Sequence, residues 1–158
     1  MSNLLEKASI LLTPTAYDDG KILSVKPVPS LGNELITNGD FATDSDWTKG
    51  TGWTISGGTA NFTPSGSFIN LTQSGILTSG KNYTVVYTLS NVTAGNVRAR
   101  LGTQDGVNYS SDGTYTSIIT ANGADFSIRT NGTFSGSVDN ISVKQVDRDN
   151  VPRIDYTG

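Results

Sequence analysis

Apolar and polar residues alternate along most of the chain after residue 34, which is the two-residue period of a β-strand with one buried face. Between residues 83 and 89, one face carries only apolar and aromatic side chains, from Tyr83, Val85, Tyr87 and Leu89. In the next run, residues 96–101, the same alternation turns Arg98 and Arg100 outward. These patterns are typical of half-buried strands in a two-layer fold.

Turn residues, mostly glycine, asparagine and serine, separate these runs at short intervals. The predicted strands are 34–37, 53–56, 59–63, 67–72, 82–90, 96–101, 114–120, 125–130 and 137–145. Many short strands with no helix between them indicate an antiparallel β-sandwich of the jelly-roll type. The sequence therefore predicts one all-β module at residues 34–146.

The two ends of the chain do not share this alternation. Apolar residues near the start fall at helical spacing, namely Leu4, Leu5, Ala8, Leu11 and Leu12. They predict a short helix that stops at Pro14, because proline cannot continue a helix. We therefore expect residues 1–33 to be a docking arm with a proline-containing linker, and residues 147–158 to be an extended tail.

Composition narrows the possible functions. The 158 residues include no histidine and no cysteine, which removes the usual general base, thiolate metal sites and disulfides. The pairs Asp44/Asp46 and Asp147/Asp149 imitate an acid/base couple, but spacing in a loop does not secure its geometry, and no enzyme is predicted.

A net charge of −3 argues against nucleic acid as a partner. No apolar run is long enough to span a membrane, and the start does not resemble a signal peptide, so synthesis in the cytoplasm is expected.

Several motifs occur in an order that resembles the jelly-roll domains of carbohydrate-binding-module-like (galactose-binding-like) proteins. They are Asn38-Gly-Asp-Phe41 followed by Trp47, the segments 52–60 and 78–85, and Val138-Asp-Asn-Ile-Ser-Val143. The resemblance covers residues 34–144, about two thirds of the chain. It implies a jelly roll whose first and last strands meet.

The same resemblance implies a structural Ca²⁺ where those two strands meet. Its oxygen ligands would come from Asn38, Asp40, Asp139 and Asn140, and Ca²⁺ is bound by carboxylate and carbonyl oxygens. The chain departs from the family pattern at Ala42, where relatives often carry an acidic residue. The alternative for these residues is an Asx-capped turn and a β-bulge without an ion.

Sugar sites combine aromatic rings, which cover the apolar faces of the sugar, with planar polar side chains that bind its hydroxyls. The main candidates for such a site are Trp47, Trp53, Arg98, Arg100, Tyr109 and Tyr115, with Tyr87, Gln104 and Asn108 as further members. Tyr109 lies in a loop and is the best exposed candidate by sequence. The alternative for the two tryptophans is a role in closing the edges of the core.

The flanking segments 1–20 and 150–158 resemble parts of virion-associated tail or fibre proteins of marine bacteriophages. That resemblance implies a virion structural or appendage protein, anchored to the particle surface by its docking arm. The expected partners are other virion proteins and further copies of the chain, with a trimer as the first expectation. The alternative function is a glycan-binding module that contacts the host cell surface.

Overall fold

The computed structural model describes residues 17–18, 21–22 and 30–147, apart from Ser67 and Gly132. By its internal contacts the chain divides into two units, one of residues 30–148 and one of the two terminal segments. In the terminal unit, β1 (Tyr17–Asp18) pairs antiparallel with β2 (Lys21–Ile22), and Asp18 lies opposite Lys21. The predicted helix, its docking-arm residues and the tail beyond residue 147 lie outside the described residues.

The unit of residues 30–148 contains two antiparallel sheets. The six-stranded sheet has the order β11 (Gly113–Thr120), β8 (Asn82–Ala94), β13 (Ser135–Asp147), β6 (Thr59–Phe62) and β5 (Trp53–Ser56), with β3 (Ser30–Glu34) also paired to β13. The five-stranded sheet has the order β10 (Gln104–Asp105), β9 (Val97–Leu101), β12 (Phe126–Thr130), β7 (Asn70–Gln73) and β4 (Thr48–Lys49). From β6 to β9, and again from β10 to β13, the chain changes sheet at every step, as it does in a jelly roll.

The core confirms the predicted alternation. Tyr83, Val85, Tyr87 and Leu89 of β8 are each exposed by no more than 1%, and the residues between them are only partly buried. In β9, Val97, Ala99 and Leu101 face the same core, so Arg98 and Arg100 point to the outer surface. Burying a side chain of this size stabilises the fold by roughly 1.5–3 kcal/mol, and the two sheets contribute to one common cluster.

Two strands are longer than the sequence predicts because β-bulges let them continue past irregular positions. Strands β8 and β13 each span 13 residues. Asn91 in β8 and Asn140 in β13 have φ values of 55° and 52°, and the register shifts nearby between Ser135 and Ser137 and between Asp139 and Ser142. Such a bulge takes up one or two extra residues and keeps the strand paired on both sides of it.

The first and last strands of the sandwich meet as predicted, since β3 pairs with β13 and Lys144 lies opposite Glu34. The predicted bounds of the first strand are wrong: β3 spans Ser30–Glu34 and not 34–37, so residues 30–33 belong to the sheet and not to the arm. The Glu34 carboxylate binds both elements. Its Oε1 accepts hydrogen bonds from the backbone N–H groups of Leu35, Ile36 and Val143 at 3.1, 3.1 and 2.8 Å, and its Oε2 accepts one from Ser142 Oγ at 2.5 Å. Partial burial raises the pKa of Glu34, but these hydrogen bonds outweigh burial and hold the pKa below its usual value of 4.5.

We expect Glu34→Ala to lower the free energy of unfolding by about 2 kcal/mol at pH 7, because it removes the acceptor of four hydrogen bonds. A carboxyl whose pKa is lowered by folding stabilises the protein above its unfolded pKa, and this contribution is lost as the pH falls through the folded value. Urea unfolding at pH 7 and pH 3 would measure both effects. Asp44→Ala is the control, since the surface ion pair of Asp44 with Lys49 is worth little. If the wild type and Glu34→Ala differed in free energy of unfolding as much at pH 3 as at pH 7, the ionised Glu34 carboxylate would not be the source of the stabilisation.

Within the described residues, the structure contains no helix with the length and apolar character that a membrane crossing requires.

Candidate functional site

The outer face of the five-stranded sheet brings three arginines together. Cross-strand pairing places Arg98 of β9 opposite Arg129 of β12, and Arg129 opposite Asn70 of β7. In the next row, Arg100 lies opposite Ser127. All five residues alternate with core residues, so their side chains project from the same face of the sheet. We call this surface, together with Phe68 and Asp105, the arginine face.

One carboxylate, that of Asp105 in β10, orients two of the arginines. Its Oδ2 lies 2.9 Å from Arg98 Nη2, and its Oδ1 lies 2.9 Å from Arg100 Nη1. Partial burial raises the pKa of Asp105, but the hydrogen bonds and positive charges of Arg98 and Arg100 outweigh burial and keep it below its usual value. Arg98 also donates from Nη1 to Asn108 Oδ1 at 3.0 Å, and Arg100 donates from Nε to the Gly102 carbonyl at 3.1 Å. Both guanidinium groups are therefore held in fixed orientations.

Arg129 is held differently. No carboxylate of the described chain forms an ion pair with it, and its guanidinium lies over the ring of Phe68, 4.8 Å from the ring centroid. Partial burial and the positive charge of Arg100 lower the pKa of Arg129; Asp105 raises it and Arg98 lowers it further. Arg129 thus sits among like charges, and its main neighbour is an aromatic face rather than an acid.

Phe68 is the exposed aromatic residue of the arginine face. Its side chain keeps 51% of its surface exposed, and its ring also lies 5.6 Å from the guanidinium carbon of Arg98. Its φ is 59°, a conformation that costs a bulky residue roughly 1–3 kcal/mol. The backbone therefore adopts an unfavourable conformation that leaves an apolar ring at the surface beside two cations.

The arginine face also contains hydrogen-bonding capacity that the described chain does not use. The Nε atoms of Arg98 and Arg129 and the Oδ1 atom of Asn70 are buried without a hydrogen-bond partner. Buried polar groups in folded proteins are nearly always paired with protein, water or ligand. All three atoms belong to one cross-strand row, so the unused capacity is concentrated at one place on the sheet.

The two tryptophans named as sugar-binding candidates lie in the core. Trp47 is 7% exposed, with its ring 5.4 Å from Phe41 and 6.3 Å from Phe126. Trp53 is 4% exposed, and its ring lies 5.0 Å from that of Phe62. Rings packed in this way have no free face for a sugar, so the tryptophans have a structural role.

Tyr109 and Tyr115 stack on each other, with ring centroids 3.8 Å apart and an interplanar angle of 16°. Both lie about 6 Å from Tyr87, at 6.1 and 6.3 Å. Burial raises the pKa of the Tyr87 hydroxyl, and Tyr109 and Tyr115 add to this effect. Each outer tyrosine covers one face of the other, and the pair packs against the rim of the core. The backbone of Tyr109 pairs with that of Val97, the residue before Arg98. Of the sugar-binding candidates, the structure brings Arg98 and Arg100 together with Asn108; Gln104 lies in β10 beside Asp105.

The residues proposed for Ca²⁺ lie at two neighbouring places, Asn38 and Asp40 in a turn and Asp139 and Asn140 at the bulge of β13. A hydrogen bond from Ile141 N to the Gly39 carbonyl, 2.9 Å long, joins the two places. The Asn38 side chain forms its hydrogen bonds within its own loop: its Nδ2 donates to the carbonyls of Thr43 and Ser45, and its Oδ1 accepts from Thr43 N. Both carboxylate oxygens of Asp139 accept hydrogen bonds from Asn140, and Asp40 accepts one from Ala42 N. In the described part of the chain, no three acidic side chains converge as a metal site. The geometry fits the alternative, a hydrogen-bonded turn and a β-bulge, and the Ca²⁺ site stays a prediction.

Comparison with protein-family models and with curated proteins gives no match. Among solved structures, the chain is similar to a mannan-binding module from Man5C in its bound conformation, with 10% identity, 65% of this chain and 94% of that chain covered, and a TM-score of 0.42. It is also similar to a CBM4 structure, with 18% identity, 66% and 81% coverage and a TM-score of 0.37. A third similarity is to CBM35 from Paenibacillus barcinonensis, with 18% identity, 64% and 90% coverage and a TM-score of 0.38. Likenesses at these scores do not determine a family or a ligand.

Proposed function

We propose that this chain is a non-catalytic glycan-binding module and that the arginine face is its binding site. The observation that carries the proposal is the half-exposed Phe68 ring beside the guanidinium groups of Arg98 and Arg129. Protein sites for sugars pair an apolar aromatic surface with planar polar groups, because a sugar ring has both C–H faces and a rim of hydroxyls.

Each residue of the arginine face would make a different contact with the sugar. Phe68 supplies the apolar surface for a C–H face of the sugar. Arg98 and Arg100 supply fixed donors for hydroxyl oxygens, since Asp105 holds both at 2.9 Å and reduces their freedom to rotate. Preorganised donors lose less conformational entropy when a ligand binds, which favours affinity.

The chemistry of Asp105 supports binding rather than catalysis. Glycoside hydrolysis usually needs two carboxyl groups at a set separation, one of them able to hold a proton. The arginine face has one carboxyl group, which is paired with two arginines and has a lowered pKa. Asp105 therefore stays ionised, and it suits a role in positioning donors.

Glycan binding, the alternative function that the sequence predicts, takes precedence over the virion role because the residues of its proposed site belong to the described part of the chain. The virion role depends on the predicted helix of the docking arm, residues 1–14, which lies outside the described residues. The virion appendage, its trimeric state and its location on a phage particle remain predictions. They are compatible with glycan binding, because an appendage can also contact the host surface.

We expect Phe68→Ala to weaken glycan binding about tenfold, or about 1.4 kcal/mol, because the sugar loses its aromatic contact. The first measurement is a microarray of neutral and acidic plant and bacterial polysaccharides, followed by calorimetric titration of the best ligand. Ile118→Ala is the matched control, since Ile118 is 61% exposed on β11 of the other sheet.

Glycan binding should distinguish Phe68→Ala from Ile118→Ala. Ile118→Ala should bind like the wild type, and both variants should unfold within about 1 kcal/mol of it, because both side chains are exposed. Wild-type protein that binds no polysaccharide on the microarray would refute the proposed function. Binding that Phe68→Ala leaves unchanged would place the site elsewhere.

A further inference from the structure

The arginine face has a charge imbalance that a neutral sugar would not use. Three arginines meet one aspartate there, so three positive charges minus one negative charge leave an excess of two. The whole chain has the opposite sign, with 14 acidic and 11 basic residues and a net charge of −3. General basicity of the protein therefore does not explain the cationic face.

Arg129 carries the part of this charge that forms no ion pair with an acid of the described chain. Its Nε is buried without a hydrogen-bond partner, its guanidinium lies over the Phe68 ring, and the side chain as a whole is only partly buried. Asp105 uses both of its oxygen atoms on Arg98 and Arg100. An anion that approached Arg129 would find donors free and a positive potential from the neighbouring arginines.

We propose that the arginine face binds acidic glycans, in which a carboxylate or sulfate group binds Arg129 while the adjoining sugar ring lies against Phe68. This inference rests on the proposed function. An arginine fork matches the two oxygens of such a group with parallel hydrogen bonds, which are stronger than bonds to neutral hydroxyls. The anion also relieves the repulsion between Arg129 and its two neighbouring arginines.

A neutral glycan would be disfavoured by the same arrangement. It would cover Arg129 without supplying an opposite charge, and a charge removed from water without a partner is costly. Discrimination therefore comes from a cost to the neutral ligand as well as a gain for the acidic one. A nucleic acid is a poorer ligand than an acidic glycan, because its long phosphate backbone would extend over the acidic remainder of this chain.

The test uses two matched pairs of polymers that differ only in charge. Polygalacturonate and its fully methyl-esterified form test a carboxylate, and dextran sulfate and dextran test a sulfate ester. We expect the wild type to bind the acidic member of at least one pair about tenfold more tightly than its neutral counterpart in calorimetric titration at 50 mM salt. Binding should weaken at 500 mM salt, since salt screens the attraction.

Arg129→Gln should abolish this preference, and Arg129→Lys should retain part of it, because lysine keeps the charge without the fork. Lys81→Gln removes the same charge from the turn before β8 of the other sheet and should retain the full preference. Thermal unfolding of each variant checks that the fold is intact. If Arg129→Gln changed the fold, the wild-type comparison within each pair would still decide the inference.

The outcomes separate this inference from the proposed function. Equal binding of the charged and neutral members, or binding to none of the four polymers, overturns the acidic-glycan inference; the neutral polysaccharides of the microarray then decide the proposed function alone. A preference that Arg129→Gln leaves unchanged, or that Lys81→Gln reduces equally, also overturns it. So does binding of a single-stranded oligonucleotide as tight as that of the best acidic polymer.

Discussion

Replacing Trp47 with alanine is expected to lower the free energy of unfolding by about 3–5 kcal/mol. The ring is 7% exposed and lies between Phe41, at 5.4 Å, and Phe126, at 6.3 Å. Its Nε1 donates a hydrogen bond to the Asn38 carbonyl at 3.0 Å. The variant would lose the ring contacts, leave a cavity and deprive the loop that begins at Asn38 of its anchor.

Urea unfolding followed by circular dichroism would measure this loss. Trp47→Phe is the control, because it keeps an aromatic ring and removes mainly the hydrogen bond and some volume, at a cost of about 1–2 kcal/mol. Glycan binding by the folded Trp47→Phe protein should equal that of the wild type. A stable Trp47→Ala protein that had lost only glycan binding would instead restore Trp47 as a sugar-binding residue.

The core could be predicted from the sequence because alternation along a strand directly determines which side chains face inward. Tyr83, Val85, Tyr87 and Leu89 show this in β8. Strand ends could be predicted where glycine turns bound them on both sides. β5 spans Trp53–Ser56 as predicted, between Gly52 and Gly57, whose φ values are 95° and 63°.

The short and irregular strands could not be predicted, because their pairing depends on distant parts of the chain. β4 and β10 contain two residues each, too few to show any period. β8 continues through a bulge at Asn91, a residue that the sequence favours equally as a turn. β13 continues through a bulge at Asn140, where the sequence offers a bulge only as the alternative to a Ca²⁺ site. Whether such a residue ends a strand or bulges it is decided by the partner strand.

The sequence predicts only part of the candidate site, because the rest depends on how distant strands pair. Alternation alone places Arg98 and Arg100 on the outer surface, and β9 presents them there. Their association with Arg129 and Asn70 depends on the registers of β9 with β12 and of β12 with β7, which no local pattern reveals. Sequence reasoning therefore missed Arg129, although its place next to the buried Ile128 marks it as outward-facing.

Phe68 was missed because the predicted strand 67–72 began too early. In the structure β7 begins at Asn70, and Phe68 precedes it with a φ of 59°. Nothing in the sequence signals a left-handed phenylalanine, since this conformation is unfavourable for a bulky residue and must be stabilised by its surroundings. The two guanidinium groups beside the ring are part of those surroundings.

We expect Gly95→Ala to lower the free energy of unfolding by about 3 kcal/mol, through two separate effects. Gly95 has a φ of 70°, which costs alanine about 1 kcal/mol. A Cβ at this position would also lie 2.3 Å from Phe134 N and 2.5 Å from Phe134 Cα, so the backbone would have to move. Gly75→Ala is a matched control, because Gly75 has a φ of 76° and open space within 4 Å.

Urea unfolding of the two variants therefore separates backbone strain from close approach: Gly75→Ala should cost about 1 kcal/mol, and the remaining cost of about 2 kcal/mol in Gly95→Ala is the steric clash.

The clash at Gly95 also connects the fold with the proposed site. Gly95 lies between β8 and β9, and the next residue, Asn96, donates from N to Asn131 Oδ1 at 3.1 Å. Movement here would shift β9 against β12 and separate Arg98 from Arg129, so Gly95→Ala should also weaken glycan binding while Gly75→Ala does not. Equal costs in the two variants would show that the backbone at Phe134 yields freely, and that this contact does not hold the arginine face in register.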